Sequence, residues 1–331
     1  TIASGTMAVT SPSNGPQAIS MSEDEHREGK YSFQTLSKAL GALHQDGLVV
    51  LKGVIPVEMI DKLNAKMCQD ADERISDPSQ GYNHGVKSNM LQRPPITDPE
   101  YLNQEVFFNQ FLLQIANAYL GHRPVFNWLT ANTALANTGG QRQPVHKDGS
   151  FNHPLFPFYF IANIPLCDFS VENGSTEFWL GSHAHTTYKD QMLAQTPEDI
   201  APYPTAYIGS RIPPVLEEKK VERMKIRPPI QPVVNRGDIM IRDIRLWHAG
   251  MPNNSDAHRI MLGLGYQSSV HPNYTLTTHL PFSQREFFMQ YGGENVELRA
   301  QWYSDEDLAK TTADTVFHAR PVYDKMEKEL A

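Results

Sequence analysis

The chain has 331 residues, 40% of them hydrophobic, enough to bury one large core. Its 37 acidic residues outnumber 29 basic ones for a formal net charge of -8, which argues against general affinity for nucleic acid or an anionic membrane and favours small-molecule partners. Cys68 and Cys167 are too few for a disulfide framework or a cysteine-rich metal site, so any metal must be held by His, Asp or Glu, and a reducing, cytoplasmic setting fits. Nothing approaches the roughly eighteen consecutive apolar residues of a membrane span, and the opening residues contain no signal-peptide core. The terminal Lys328-Glu329-Leu330-Ala331 is neither a peroxisomal nor a retention signal.

Thr1 to Thr6 read as a remnant of expression before a native start at Met7, and residues 1–30, rich in Ser, Gly, Pro and acids without periodicity, read as a disordered tail. Residues 31–331 form a single domain. Ser32 to Gln45 has helical periodicity and stops at Asp46-Gly47; Leu48 to Leu51 follows as a strand. Pro56 begins a helix to about Ile75 with Val57, Ile60, Leu63 and Met67 on one face, and a third helix runs from Gln104 to Leu120.

From Val125 the texture becomes short β runs: Val125 to Ala136, Phe156 to Leu166, Ser175 to Leu180, Asp238 to Trp247 and Arg259 to Ser268. Strands without intervening helices predict a mainly β fold of sandwich or jelly-roll type, flanked by helices. Residues 186–233 carry eight prolines between Pro197 and Pro232, too many for a central strand, and read as a lid or dimer-contact insertion. Helical character returns from about Ser283, with Ser304 before Asp305, Glu306 and Asp307 as a helix start.

His146 and Asp148 stand two positions apart, so in an extended chain they project to one side and can share an ion. His248 closes the apolar run from Asp238 and supplies a third ligand. Two histidines and one carboxylate leave three positions free, an arrangement suited to iron(II) with dioxygen and an organic co-substrate. Arg259 follows eleven positions after His248, and a hairpin of that length would return its guanidinium to the site as a carboxylate anchor. Gln143, three residues before His146, is within reach of the same co-substrate.

The segments Gln143-Pro144-Val145-His146-Lys147-Asp148-Gly149, Asn173-Gly174-Ser175-Thr176 with Gly181-Ser182-His183, and Gly237-Asp238 through Trp247-His248-Ala249-Gly250 to Arg259 together resemble the phytanoyl-CoA dioxygenase family, including its fungal natural-product members. Asp46-Gly47-Leu48-Val49-Val50 extends the likeness towards the start. The resemblance implies a double-stranded β-helix, a cupin-like jelly roll. It further implies Fe(II) held by His146, Asp148 and His248, and 2-oxoglutarate, the co-substrate used with O2, contacted by Gln143, Thr176 and Arg259. Oxidation of a small organic substrate such as a secondary metabolite is the implied activity, with a homodimer common among the relatives. Intact Asp148 disfavours halogenation, because related halogenases lack that carboxylate. Phe151 and Asn89 are the candidates for substrate contact.

The competing readings are weaker on the residues. His44-Gln45-Asp46 has the same His-x-Asp spacing but sits at a helix end, where a turn and a surface histidine suffice. His183-Ala184-His185 follows Gly181-Ser182 in a loop and reads as structural. Arg242 and Arg245 compete with Arg259; in a strand ending at His248, Arg242 shares the histidine's face and Arg245 points away. An acyl-CoA α-hydroxylase lacks a Lys/Arg cluster for the CoA phosphates, and a non-catalytic metal-binding protein leaves Arg259 without a purpose.

Overall fold

The computed structural model describes residues 15–77, 80–82, 88–138, 142–149, 153–191, 214–271 and 276–311. In chain order these form β1 Gln17–Ser20, α1 Glu23–Glu28, α2 Phe33–Asp46, β2 Leu48–Lys52, α3 Val57–Ile75, β3 Asn89–Gln92, α4 Gln104–Phe107 and α5 Gln110–Leu120. There follow β4 Val125–Ala134, β5 Tyr159–Pro165, β6 Glu177–Phe178, α6 Glu217–Ile226, β7 Ile239–Asp243, β8 His248–Ala249 and β9 Arg259–Gln267. The last elements are β10 Thr278–Pro281, α7 Arg285–Tyr291, β11 Glu297–Leu298, β12 Ala300–Tyr303 and α8 Asp305–Lys310.

A large sheet runs in the order β1-β2-β7-β5-β9-β4-β11, with β3 also on β4. Apart from the parallel edge pairs β1/β2 and β11/β4, its pairs are antiparallel. Strand alternation gives this sheet two unlike faces. Val49, Leu51, Ile239, Ile241, Phe160, Ala162, Ile164, Ile260, Leu262 and Leu264 point one way and pack with α2, α3 and α5 in the main core. Leu48, Val50 and Met240 point the other way and pack with Phe169, Phe178 and Leu246 beneath a second, narrow layer. That layer is β6 against β8, extended on one side by a bridge from His248 to His146 and on the other from Phe178 to Ile230. Two antiparallel layers of this kind make the expected jelly roll.

On the inner face of β9, Gly263 and Gly265 leave space that neighbours fill. A Cβ on Gly263 would lie 2.7 Å from the Trp128 indole, and one on Gly265 would collide with the Tyr159 hydroxyl. The two glycines thus let large rings lie flat on the sheet.

Several boundaries differ from expectation. Part of the supposed tail is ordered: β1 pairs with β2, Ile19 is buried, and α1 begins with a capping box in which Ser22 and Glu25 satisfy each other's backbone N–H groups. Backbone pairing to a sheet edge leaves no hydrophobic periodicity, although Ser22-Glu23-Asp24-Glu25 is a readable capping signal. Residues 1–14 lie outside the described residues. The third helix is broken at Asn109, whose Oδ1 accepts from the N–H groups of Phe111 and Leu112 and starts α5 afresh.

The run from Asp238 to Trp247 does not remain one strand. β7 ends at Asp243, whose carboxylate takes the backbone N–H and the guanidinium of Arg245 and turns the chain into the second layer before His248. The expected hairpin is likewise absent: β9 pairs with β4 and β5, not with the strand before it. The long connection crosses between layers, as a jelly roll requires.

Asn109 also donates from Nδ2 to the Val54 carbonyl at 2.9 Å. Asn109→Ala should therefore cost about 1–2 kcal/mol of stability. Urea unfolding should show a lower midpoint with an unchanged slope and no change in metal affinity.

Candidate active site

His146 and His248 face each other across an antiparallel bridge closed by two backbone hydrogen bonds, His146 N–H to His248 O at 2.9 Å and His248 N–H to His146 O at 2.8 Å. The bridge sets their rings 4.4 Å apart between centroids. Asp148, two residues on, returns its carboxylate to the same side: Oδ1 lies 3.7 Å from His146 Nε2 and 3.6 Å from His248 Nε2. The three atoms all lie within 4.8 Å of one another, and this is the group found among the described residues whose side chains could together hold a metal ion.

Outer partners fix which nitrogen faces inward. His146 Nδ1–H donates to the Pro144 carbonyl at 2.8 Å and His248 Nδ1–H to the Leu246 carbonyl at 3.0 Å; a carbonyl can only accept, so both Nε2 lone pairs are left for a metal. Burial lowers both imidazoles below their ordinary pKa and keeps them neutral, as ligation requires. Burial pushes the other way on Asp148, but the adjacent Arg242 guanidinium overcomes it and holds the carboxyl well below the usual range. Arg242 Nη2 donates to Asp148 Oδ2 at 2.6 Å.

Arg259, at the start of β9, is 1% exposed, and its Nε and Nη1 have no hydrogen-bond partner. Burial lowers its pKa to about 10, so it stays cationic at neutral pH. Its guanidinium carbon lies 4.9 Å from the centre of the Phe169 ring. Phe169 shares a buried cluster with Phe178, which pairs with His248 across β6 and β8. The unpaired cation and the cluster of His146, Asp148 and His248 are thus two ends of one apolar wall. A buried guanidinium without an anion is costly, and a carboxylate arriving with a ligand would satisfy it.

The other expected contacts fall into place unequally. Gln143 exchanges hydrogen bonds with Gly250: its N–H donates to the Gly250 carbonyl at 2.8 Å, and its Oε1 accepts the Gly250 N–H at 2.7 Å. It therefore staples together the two segments that carry the histidines. Thr176 is buried just before β6, two positions from Phe178. Asn89 lies at the start of β3, donating to Asn132 Oδ1 at 2.7 Å and leaving its own buried Oδ1 unpartnered. Phe151 lies outside the described residues.

The decoys stay apart from the triad. His44 is exposed against Tyr119, while Asp46 is buried in an ion pair with Arg227 at 2.7 Å. His183 is buried over Gly47, where a Cβ would meet its ring. Arg245 is committed to Asp243.

Two contacts were not read from the sequence. One is the Arg242–Asp148 pair. The other is Lys147, which points away from the ligands into full burial, donates to the Thr187 carbonyl and His153 Nε2, both at 2.7 Å, and is pushed by burial down to about 7. Its place between two same-side ligands was the available signal for the opposite orientation.

A jelly roll with two histidines and one carboxylate on facing segments, and a buried arginine with unpartnered nitrogens beyond them, is an arrangement suited to mononuclear non-haem iron. The family model of phytanoyl-CoA dioxygenase (PhyH) matches residues 43–261, well over half of the chain. The chain belongs to that family. Among its relatives it is 25% identical over 281 residues to "Dioxygenase hkm4" of Aspergillus hancockii, covering 74% of this chain and 78% of the relative. It is 23% identical over 240 residues to the "Iron/alpha-ketoglutarate-dependent dioxygenase ausO" of Aspergillus calidoustus, covering 67% and 69%. With "Dioxygenase olcK" of Penicillium canescens it is 26% identical over 180 residues, 48% of this chain and little more than half, 56%, of that relative.

Asp148→Ala should lower Mn(II) or Co(II) affinity on the order of 100-fold or more, whereas His44→Ala should leave it unchanged. Titration calorimetry on chelator-stripped protein checks both.

Proposed function

We propose that the protein is an Fe(II)- and 2-oxoglutarate-dependent dioxygenase that oxidises a small organic molecule of the secondary-metabolite kind. The observation that carries the reading is the buried, unpartnered guanidinium of Arg259 on the wall that leads to the His146, Asp148 and His248 cluster. Bound iron, with 2-oxoglutarate and O2, supplies oxidation of an unactivated C–H bond with release of succinate and CO2.

The chain's own groups bind and orient. His146, Asp148 and His248 hold the iron and leave three positions free. Arg259 takes the distal carboxylate of 2-oxoglutarate in a forked, charge-assisted contact, and the surrounding apolar cluster excludes water from that end. Thr176, at the entry to β6, contacts the same molecule. Gln143 acts mainly by fixing the segments on either side of the metal, because its amide oxygen is already engaged by Gly250.

Substrate meets Asn89, whose free Oδ1 accepts a hydrogen bond from a polar N–H or O–H group, and Phe151. Such a contact suits a compact, partly polar molecule. The 186–233 segment serves as a lid or as a homodimer contact; supporting this, α6 within it carries the exposed apolar side chains Val221, Met224 and Ile226. A cytoplasmic setting fits both free cysteines.

Adding 2-oxoglutarate anaerobically to iron-loaded protein should give a weak visible charge-transfer band, and well-folded, metal-replete protein without one would overturn the reading. Arg259→Met should keep Mn(II) affinity within about threefold while weakening 2-oxoglutarate binding by about 100-fold, the loss of a forked, buried charge pair. In succinate-release assays, small polycyclic or alkaloid candidates should stimulate turnover and acyl-CoA should not.

A further inference from the structure

Asp148 divides the work of its two oxygens. Oδ1 is the atom close to both imidazole Nε2 atoms, at 3.7 and 3.6 Å. Oδ2 is taken by Arg242 Nη2 at 2.6 Å. The Arg242 side chain is 6% exposed and is braced from behind, its Nε donating to Asn163 Oδ1 at 3.4 Å. Asn163 is itself buried on β5, directly opposite Gly263 of β9. The chain Asn163, Arg242, Asp148 therefore runs from the middle of the large sheet to the ligand cluster.

We propose that Arg242 is a positioning residue that confines Asp148 to one-oxygen ligation, and whose charge shifts the site from metal affinity towards affinity for the anionic co-substrate. The inference rests on the oxygenase reading above. A carboxylate with both oxygens free can ligate through both and occupy two positions on the ion. A short, charge-assisted hydrogen bond to Oδ2 opposes that mode and preserves three positions for co-substrate and O2.

The second effect is electrostatic. Arg242 Nη1 also lies 3.3 Å from His248 Nδ1, whose proton is already committed to the Leu246 carbonyl, so the contact is one of proximity. A fixed cation this close to two ligands opposes a divalent metal and favours an arriving dianion, and burial strengthens both effects. A merely structural brace would behave differently: its removal would loosen the ligands and weaken metal and co-substrate together.

Titration calorimetry with Mn(II), followed by 2-oxoglutarate on the Mn(II)-loaded protein, separates these cases. Arg242→Met should bind Mn(II) as tightly as the unaltered protein or up to about tenfold more tightly, yet bind 2-oxoglutarate about tenfold or more weakly. Arg242→Lys, with the charge kept and the fork lost, should recover part of the 2-oxoglutarate affinity. Mn(II) affinity falling about tenfold or more, or 2-oxoglutarate affinity within about twofold of the unaltered protein, would overturn the proposal.

Should Arg242→Met fail to fold, Asn163→Ala carries the test by removing only the brace. It should weaken 2-oxoglutarate binding by about two- to fivefold with Mn(II) affinity unchanged, and no weakening overturns the proposal. Unaltered, Mn(II)-loaded protein that binds no 2-oxoglutarate would instead sink the oxygenase reading itself.

Discussion

The pair of backbone hydrogen bonds between His146 and His248 is the constraint on which the site depends. These residues are about a hundred positions apart and lie on segments with little regular structure of their own. Once their N–H and C=O groups are paired, the side chains must project together, and Asp148 follows from strand alternation. The Gln143–Gly250 exchange repeats the same logic one step further along. The metal frame is thus built by the main chain, and the side chains need only be of the right type.

Around that frame the two layers of the jelly roll have different tasks. The large sheet is anchored from outside by α2, α3 and α5 through an apolar face, which frees its inner face to hold groups that would be costly in a core: Arg242, Asn163 and Arg259. Each of the first two is satisfied by a neighbour. Arg259 differs, since its buried Nε and Nη1 have no hydrogen-bond partner.

Much of the fold was legible because it rests on local signals. The α2–β2 junction at Gly47, the α3 start at Pro56 and the β runs at 125–134 and 259–267 appear nearly as expected. The parity shared by His146 and Asp148 is likewise displayed directly by the sequence, and both side chains lie beside His248. What was not legible depends on partners remote in the chain. β1 is held by an edge it cannot announce, Asn109 divides a helix by capping rather than by breaking periodicity, and Asp243 ends β7 by capturing Arg245. The turn at Asp243 moves His248 into the second layer, yet Arg242 still lies beside it and reaches Asp148 across the layers. For Gln143, spacing suggested a ligand contact, whereas Gly250 claims its oxygen.

A frame specified by main-chain bonds has a consequence for divergence. Substitutions on the inner face of the sheet, at Asn89, Trp128 or the bulk admitted by Gly263 and Gly265, change its packing without touching the bonds that align the histidines. Insertions or deletions between Gln143 and His146, or between His248 and Gly250, would slip that alignment at once. The architecture therefore confines length changes to other loops while leaving the inner face open to drift by point substitution.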